Sequence, residues 1–240
     1  MGQKSSSTKT KIPDNQASPY VSSDLSILTL LPTGVLGVVL NVNEGEHQLP
    51  GVFIQPGETL EVAARRAALQ KTGIEVGEVH QLRLFDSPDR DSRAWVISAA
   101  FFAAVPYAVV HQAMEGVLEQ SGHALPLAVV PVDDAIVAHL KYDHSDIVLQ
   151  SATHLRGEYQ LRPDPYRFLD KEELTLLELR TAHETVAGHR ILKDTFRRRM
   201  TPKLIDTGEV TQGLLGKPAR LYRRKPTAGP RKVHHSDWID

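Results

Sequence analysis

The chain has 240 residues, a formal net charge of -1, 41% hydrophobic and 24% charged side chains, and no cysteine. Those values suit a globular chain of one large or two modest domains and leave neither a disulfide framework nor a thiolate metal site. No apolar run approaches the ~20 residues that span a bilayer, and the polar N-terminus lacks a secretory signal, so the expected setting is the cytoplasm with no membrane partner.

The small net charge hides an asymmetry. Between Arg190 and Lys232 thirteen bases face three acids, a local charge of +10 that leaves -11 for the rest of the chain. An acidic body with a basic end points to a polyanionic partner.

The first 22 residues are polar and without apolar periodicity, which predicts a disordered tail. Met1, Gly2 and Ser6 fit a myristoylation pattern, but one acyl chain would anchor only weakly, and an ordinary polar tail explains them as well. Leu25 to Leu31 and Gly34 to Val42 are apolar and β-branched around Pro32, Thr33 and Gly34, and read as two strands joined by a turn. A helix is expected from Leu60 to Thr72, closed by Gly73. Strands follow near Gln81 to Phe85, Ala94 to Val105 and Leu127 to Val132, giving an α/β (α+β) first domain with a mixed sheet over residues 23–138.

After Asp133 the pattern turns helical, with Ile147, Val148, Ala152 and Leu155 at helical spacing. Thr175 and Glu178 form a capping-box signature for a helix running to Ala187 and stopping at Gly188. A second helix follows from Leu192 to Met200, with Leu192, Phe196 and Met200 as one apolar stripe. Thr207-Gly208-Glu209, Gly213 and Gly216 suggest a hairpin ending in a strand from Ala219 to Tyr222. Helix, turn, helix and hairpin, over residues 139–226, is the order of a winged helix-turn-helix, with a flexible tail at 227–240. His234 and His235 in that tail read as solvated.

The second of these helices would project Lys193, Asp194, Thr195, Arg197, Arg198 and Arg199 toward a major groove. Residues at the front of that helix would read bases, while Arg199 and the wing residues Lys217, Arg220 and Arg223, with Arg224 and Lys225 beyond, would meet phosphates. A solvated charged face is the plain alternative. The capped helix before it and the basic hairpin after it favour double-stranded DNA.

The segment from Leu49 to Arg66, continuing to Gly73 and Ile74, resembles the Nudix box. That resemblance implies a loop and helix whose glutamates hold divalent metal for diphosphate hydrolysis. Glu58, Arg66, Gly73 and Ile74 match, but the positions of the three catalytic and metal-binding glutamates carry Ala67, Gln70 and Lys71, and Val52 replaces a second glycine. The expectation is therefore a non-enzyme with no catalytic residues, no metal and no cofactor, whose fold is kept for binding. Gln81 to Arg93 with the strand after it, Leu140 to Ile147, Phe196 to Met200, and Gly216 to Arg223 resemble the Nudix-related regulators of NAD metabolism, the NrtR family. The resemblance implies a homodimeric, nucleoid-associated repressor of NAD-metabolism genes that binds operator DNA. Its effector would be ADP-ribose or a related NAD-derived nucleotide, met by Phe53, Glu58, Arg66, Arg83, Arg90 and Arg93. The three last-named arginines suit phosphate, though each taken alone is more readily an ordinary ion pair or a solvated loop residue. Two other readings stay open: an active Nudix hydrolase with a nucleic-acid-binding tail, and a scaffold that binds RNA or protein through its basic end.

Overall fold

The computed structural model describes residues 18–43, 45–120, 127–211 and 218–226. The acylation pattern at Gly2, the wing residues Gly213, Gly216 and Lys217, and the tail with His234 and His235 lie outside the described residues.

The first sheet is built on β1 (Tyr20–Leu30), which is buried along most of its length. It pairs antiparallel with β2 (Leu36–Asn43), bringing Ile27 opposite Val39, and antiparallel with β4 (Gly51–Phe53), which places Asp24 opposite Gly51. A short β3 (Glu46–Gln48) extends the β2 edge. Along its other side β1 runs parallel to β6 (Val96–Ala104), and β6 pairs antiparallel with β5 (His80–Phe85) through a register shift between Gln81 and Leu84. β7 (Leu127–Pro131) adds to β2. Parallel and antiparallel pairs thus share one sheet, as expected from the strand and helix mixture.

Strand alternation sends the two faces into different cores. Leu25, Ile27, Val39, Ala99, Phe101 and Ala103 pack with Ala64 and Ala68 of α1 (Leu60–Thr72) and Val110 of α2 (Tyr107–Gln120). Leu28, Val38, Leu40, Ala100 and Phe102 pack on the other face against Val132 and Ala135 of α3 (Val132–Val137) and Ile147, Val148, Ala152 and Leu155 of α4 (His144–Leu161). A strand covered on both faces gains from apolar residues at successive positions, which is why β1 reads as a near-continuous apolar run.

The second sheet has the order β8-β10-β9, formed by β8 (Glu173–Thr175), β9 (Leu204–Val210) and β10 (Arg220–Arg224). It packs with α5 (Leu176–Ala187) and α6 (Lys193–Met200) around Leu174, Leu179, Phe196, Met200, Leu204 and Tyr222. The capping box of α5 is present: Glu178 N donates to Thr175 Oγ1 at 3.1 Å, and Thr175 N donates to Glu178 Oε2 at 2.9 Å.

Several expectations need correction. β1 begins at Tyr20, inside the stretch expected to be tail, because Tyr20 N donates to Trp95 O at 2.9 Å and its strand pairs with β6. α2 had no sequence expectation, and α4 is longer than the helical pattern first noticed. α4 also packs on the first sheet although its sequence position suggested the second domain. Leu192 is 78% exposed, so the apolar stripe of α6 reduces to Phe196 and Met200. Thr207-Gly208-Glu209 lies within β9 and makes no hairpin tip. Gly208 there takes φ 78°, with its N–H donating to Asp206 Oδ1 at 3.0 Å, and the β9–β10 register shifts between Arg220 and Tyr222. That is the geometry of a bulge, for which glycine suits the left-handed residue.

Candidate ligand cleft and nucleic-acid interface

A cleft of about 810 Å³ opens between β1, β2, β4, the C-terminal half of α1 and the segment leading into α4. Its wall comes from the loop after β4. Glu58 accepts from Gln55 N at 2.9 Å and binds Arg66 through both carboxylate oxygens, each at 2.8 Å. The Arg66 hydrogen bonds and the Gln55 amide hold the Glu58 carboxyl down to about 2, and Glu58 in turn raises Arg66. Arg66 also donates to Phe53 O at 2.9 Å and to Gln70 Oε1 at 3.3 Å, so it clasps the loop to α1.

Beneath this wall sits Asp24. Burial works to raise its carboxyl, but the His144 ring, the Ser98 hydroxyl and the Arg90 guanidinium together hold it below the ordinary range. Ser98 Oγ donates to Asp24 Oδ2 at 2.6 Å, Arg90 Nη2 lies 3.2 Å from the same oxygen, and His144 Nε2 lies 3.8 Å away. Leu49 N donates to His144 Nδ1 at 3.0 Å, which leaves the ring hydrogen on Nε2, facing Asp24. A Cβ on Gly51 would fall 2.1 Å from Asp24 Oδ1, so only glycine lets β4 approach this carboxylate. Arg90 Nε also donates to Asp143 Oδ2 at 2.7 Å, tying the floor of the cleft to the residue before α4.

The expected ligand residues separate into groups. Phe53, Arg66 and Arg93 line the cleft. Phe53 is 47% exposed with its ring 5.6 Å from that of Tyr20, and Arg93 pairs with Asp91 at 2.8 Å and lies over the Tyr142 ring. Glu58 acts through Arg66. Arg90 is buried beneath the cleft, between two carboxylates, where it is not free to take a phosphate. Arg83 lies outside the cleft, its guanidinium 4.1 Å over the Phe85 ring. Asp24, Lys71, Lys141, Tyr142 and His144 also line the cleft and had no assigned role in the sequence reading. A carboxylate amid the apolar run of β1 was the available signal, since an ionised group there needs partners.

The cleft does not fit a divalent metal. Ala67 is fully buried in the core, and α1 turns Arg66, Gln70 and Lys71 toward the cleft. No group of three or more His, Cys, Asp or Glu side chains among the described residues is placed to hold a cation. Magnesium needs several hard oxygens in near-octahedral array, and an amide, an ammonium and a guanidinium do not supply them.

The second region is α6. Leu192, Thr195, Phe196 and Arg199 share one side of this helix and line a cavity of about 530 Å³ between α4, α5 and α6, together with Arg156, Tyr159 and His183. Lys193, Asp194, Arg197 and Arg198 are exposed and do not line that cavity. Residues four apart lie one above the other, so Asp194 and Arg198 stand opposite Phe196, while Lys193 and Arg197 form one flank and Thr195 and Arg199 the other. Thr195 and Arg199 are exposed as well, as expected for projecting residues, and also line the edge of the cavity. On β10, Arg220 pairs with Asp206 at 2.8 Å and Arg223 with Glu173 at 2.5 Å, both exposed and exchangeable for phosphate. Arg224 differs: it donates to Leu169 O and Lys171 O, each at 2.7 Å, and pairs with the fully buried Asp164, so it holds the fold together.

α4 connects the two regions. Lys141 and Tyr142 just before it and His144 at its start line the cleft, while Arg156 Nε near its end donates to Val186 O of α5 at 3.1 Å. Among the described residues no helix is long and apolar enough to cross a membrane.

Comparison with known proteins agrees with this division. Residues 36–150 match the NUDIX domain, and residues 167–224 match the NrtR DNA-binding winged helix domain. The ADPR responsive transcriptional repressor NtrR of Acinetobacter baylyi is 28% identical over 218 residues, 86% of this chain and 82% of that protein. Shewanella oneidensis NrtR, in its crystal structure complexed with a 27mer DNA, aligns with a TM-score of 0.69 and 28% identity over 85% of this chain and 93% of that one. A 65-residue stretch, 27% of this chain and 38% of the other protein, is 40% identical to an ADP-ribose pyrophosphatase of Methanocaldococcus jannaschii.

Proposed function

We infer that this chain, which joins a NUDIX domain to an NrtR winged helix and belongs to the NrtR family, is a transcriptional repressor that releases or engages operator DNA in response to ADP-ribose or a related NAD-derived nucleotide. By family likeness its targets are NAD-metabolism genes, and it works in the cytoplasm at the nucleoid. The observation that carries the reading is α4, whose first residues line the cleft and whose last turns pack against α5. A ligand in the cleft touches the same rigid element that positions the DNA reader, which gives it a way to favour one arrangement of the reader over another.

Residues 23–138 form the effector domain in this reading and 139–226 the DNA-binding domain, with α4 shared between them. Phe53, Arg66 and Arg93 meet the ligand. Lys193, Asp194, Arg197 and Arg198 face the major groove, and Arg220 and Arg223, with Lys217 in the wing, face phosphates. A homodimer would place two such readers on paired half-sites. Hydrolysis is lost, because Ala67, Gln70 and Lys71 leave no carboxylate set for a metal.

The test is a band-shift titration of the full chain on its own promoter duplex at fixed salt. Retardation of that duplex over random sequence, altered by ADP-ribose, is the expected result. If ADP-ribose, NAD and related nucleotides all leave the shift unchanged, sensing fails while DNA binding stands. Equal affinity for promoter duplex and random single strand removes the repressor altogether.

A further inference from the structure

Four cationic side chains line the cleft: Arg66, Lys71, Arg93 and Lys141. Three are held by carboxylates: Arg66 by Glu58, Arg93 by Asp91 and Lys141 by Glu46. Lys71 stands exposed in the last turn of α1, with no carboxylate partner among the described residues. A lysine at that position also complements the helix dipole, but that interaction is satisfied wherever the ammonium lies near the helix end and does not require it to line a cleft.

The acids of the cleft are occupied as well. Asp24 is engaged by Ser98 and Arg90, and Asp91 accepts from the backbone N–H of Arg93 at 3.0 Å as well as from its guanidinium. Among the described residues the cleft therefore has no free carboxylate with which to recruit a metal, and one cation without a carboxylate partner. An ammonium is a compact charge with three donors and binds phosphate oxygens directly.

We propose that Lys71 is the anion anchor of the cleft and binds a diphosphate ester directly, so that the effector is held without any divalent metal. The proposal rests on reading the cleft as a nucleotide site and adds how the diphosphate is recognised. Lys71 makes the first contact, and Arg93 and Lys141, whose own side chains are exposed at the rim, can turn to the same phosphates.

Calorimetric titration of the full chain with ADP-ribose, and separately with inorganic pyrophosphate, tests this in EDTA and in magnesium. The expected Kd for ADP-ribose is the same in both buffers. Lys71→Gln weakens it by about tenfold to a hundredfold, the range for losing one charge-assisted hydrogen bond to an ionised group. Lys71→Arg keeps most of the affinity, and both variants melt as the parent does because the side chain is exposed. Binding that EDTA abolishes, or that Lys71→Gln leaves intact, overturns the proposal. Pyrophosphate bound without metal and through Lys71, with no binding of ADP-ribose, supports the anchor and sinks the nucleotide reading. No binding of either ligand sinks both.

Discussion

Arg90 and Asp143 form the link between the floor of the cleft and the start of α4, with Nε of the arginine 2.7 Å from the carboxylate and its side chain only 2% exposed. The same guanidinium reaches Asp24, so removing it takes the arginine from two carboxylates, one of them deeply buried. Breaking such a buried arrangement from one side costs about 3–5 kcal/mol. Arg90→Met should therefore lower unfolding stability in urea by that amount. Adding Asp143→Asn should recover only part, because Asp24, still bonded to Ser98 and facing His144, remains without its guanidinium. A loss below about 1 kcal/mol would show that the link is replaceable by packing.

His183 makes the stability of the DNA-binding half depend on pH. Its ring is buried between Tyr159 and Phe196, with centroids 4.8 and 5.0 Å away, and its Nε2 accepts from Asp164 N at 3.3 Å. Burial pushes it down to about 4, against a partial upward pull from Asp164. The unfolded chain takes up the proton near 6.5, whereas the folded chain does so only near 4, so protons favour unfolding across that window. The contribution is full above pH 6.5 and is lost as pH falls toward 4. It amounts to about 3 kcal/mol when the whole shift is converted. Urea unfolding of the parent and His183→Gln from pH 7 to 4.5 measures it. The parent should lose stability more steeply, and parallel curves would refute the assignment.

The sequence showed regular elements and hid the floor of the cleft. α1 is bounded by Thr59 and Gly73, and α5 by Thr175 and Gly188, so local capping chemistry marks them within a residue. The mixed sheet was legible from β-branched runs. α2 was not, because its capping signals are weak and its first turn carries no acid. Arg83, Arg90 and Arg93 have similar local surroundings in sequence, yet they stack on Phe85, bury against Asp24 and Asp143, and line the cleft, respectively. Those fates depend on partners as many as 66 positions away, which no local pattern encodes. The outward side of α6 was legible from its charge, but Leu192 was misplaced: as the cap residue it lies outside the helical turn that carries Phe196 inward.

Catalysis is the property that the Nudix likeness most readily suggests, and the cleft argues against it. Glu58 has both carboxylate oxygens taken by Arg66, the single amide oxygen of Gln70 also accepts from Arg66, and Lys71 offers no metal ligand. Incubation of the chain with ADP-ribose and magnesium, followed by chromatography of the products, should show no AMP above a protein-free control. Turnover abolished by Glu58→Ala would falsify the loss of hydrolysis and favour an enzyme with a nucleic-acid-binding end.

The two sides of α6 predict different DNA phenotypes. Arg198 lies opposite the buried Phe196 and Arg197 on the flank away from the cavity, both exposed where a major groove can receive them. Replacing either with alanine should weaken operator binding by about 1–3 kcal/mol and relax discrimination at one base position. Arg220 and Arg223 are on β10 with exchangeable surface partners, so their alanine variants should weaken operator and random duplex alike, each lowering the salt slope by about one. Arg199 faces the cavity between α4 and α6 and should leave base preference unchanged when replaced. Competition shifts over a salt series separate these outcomes. If Arg199→Ala loses base preference while Arg197→Ala and Arg198→Ala keep it, then the helix enters DNA by its other side.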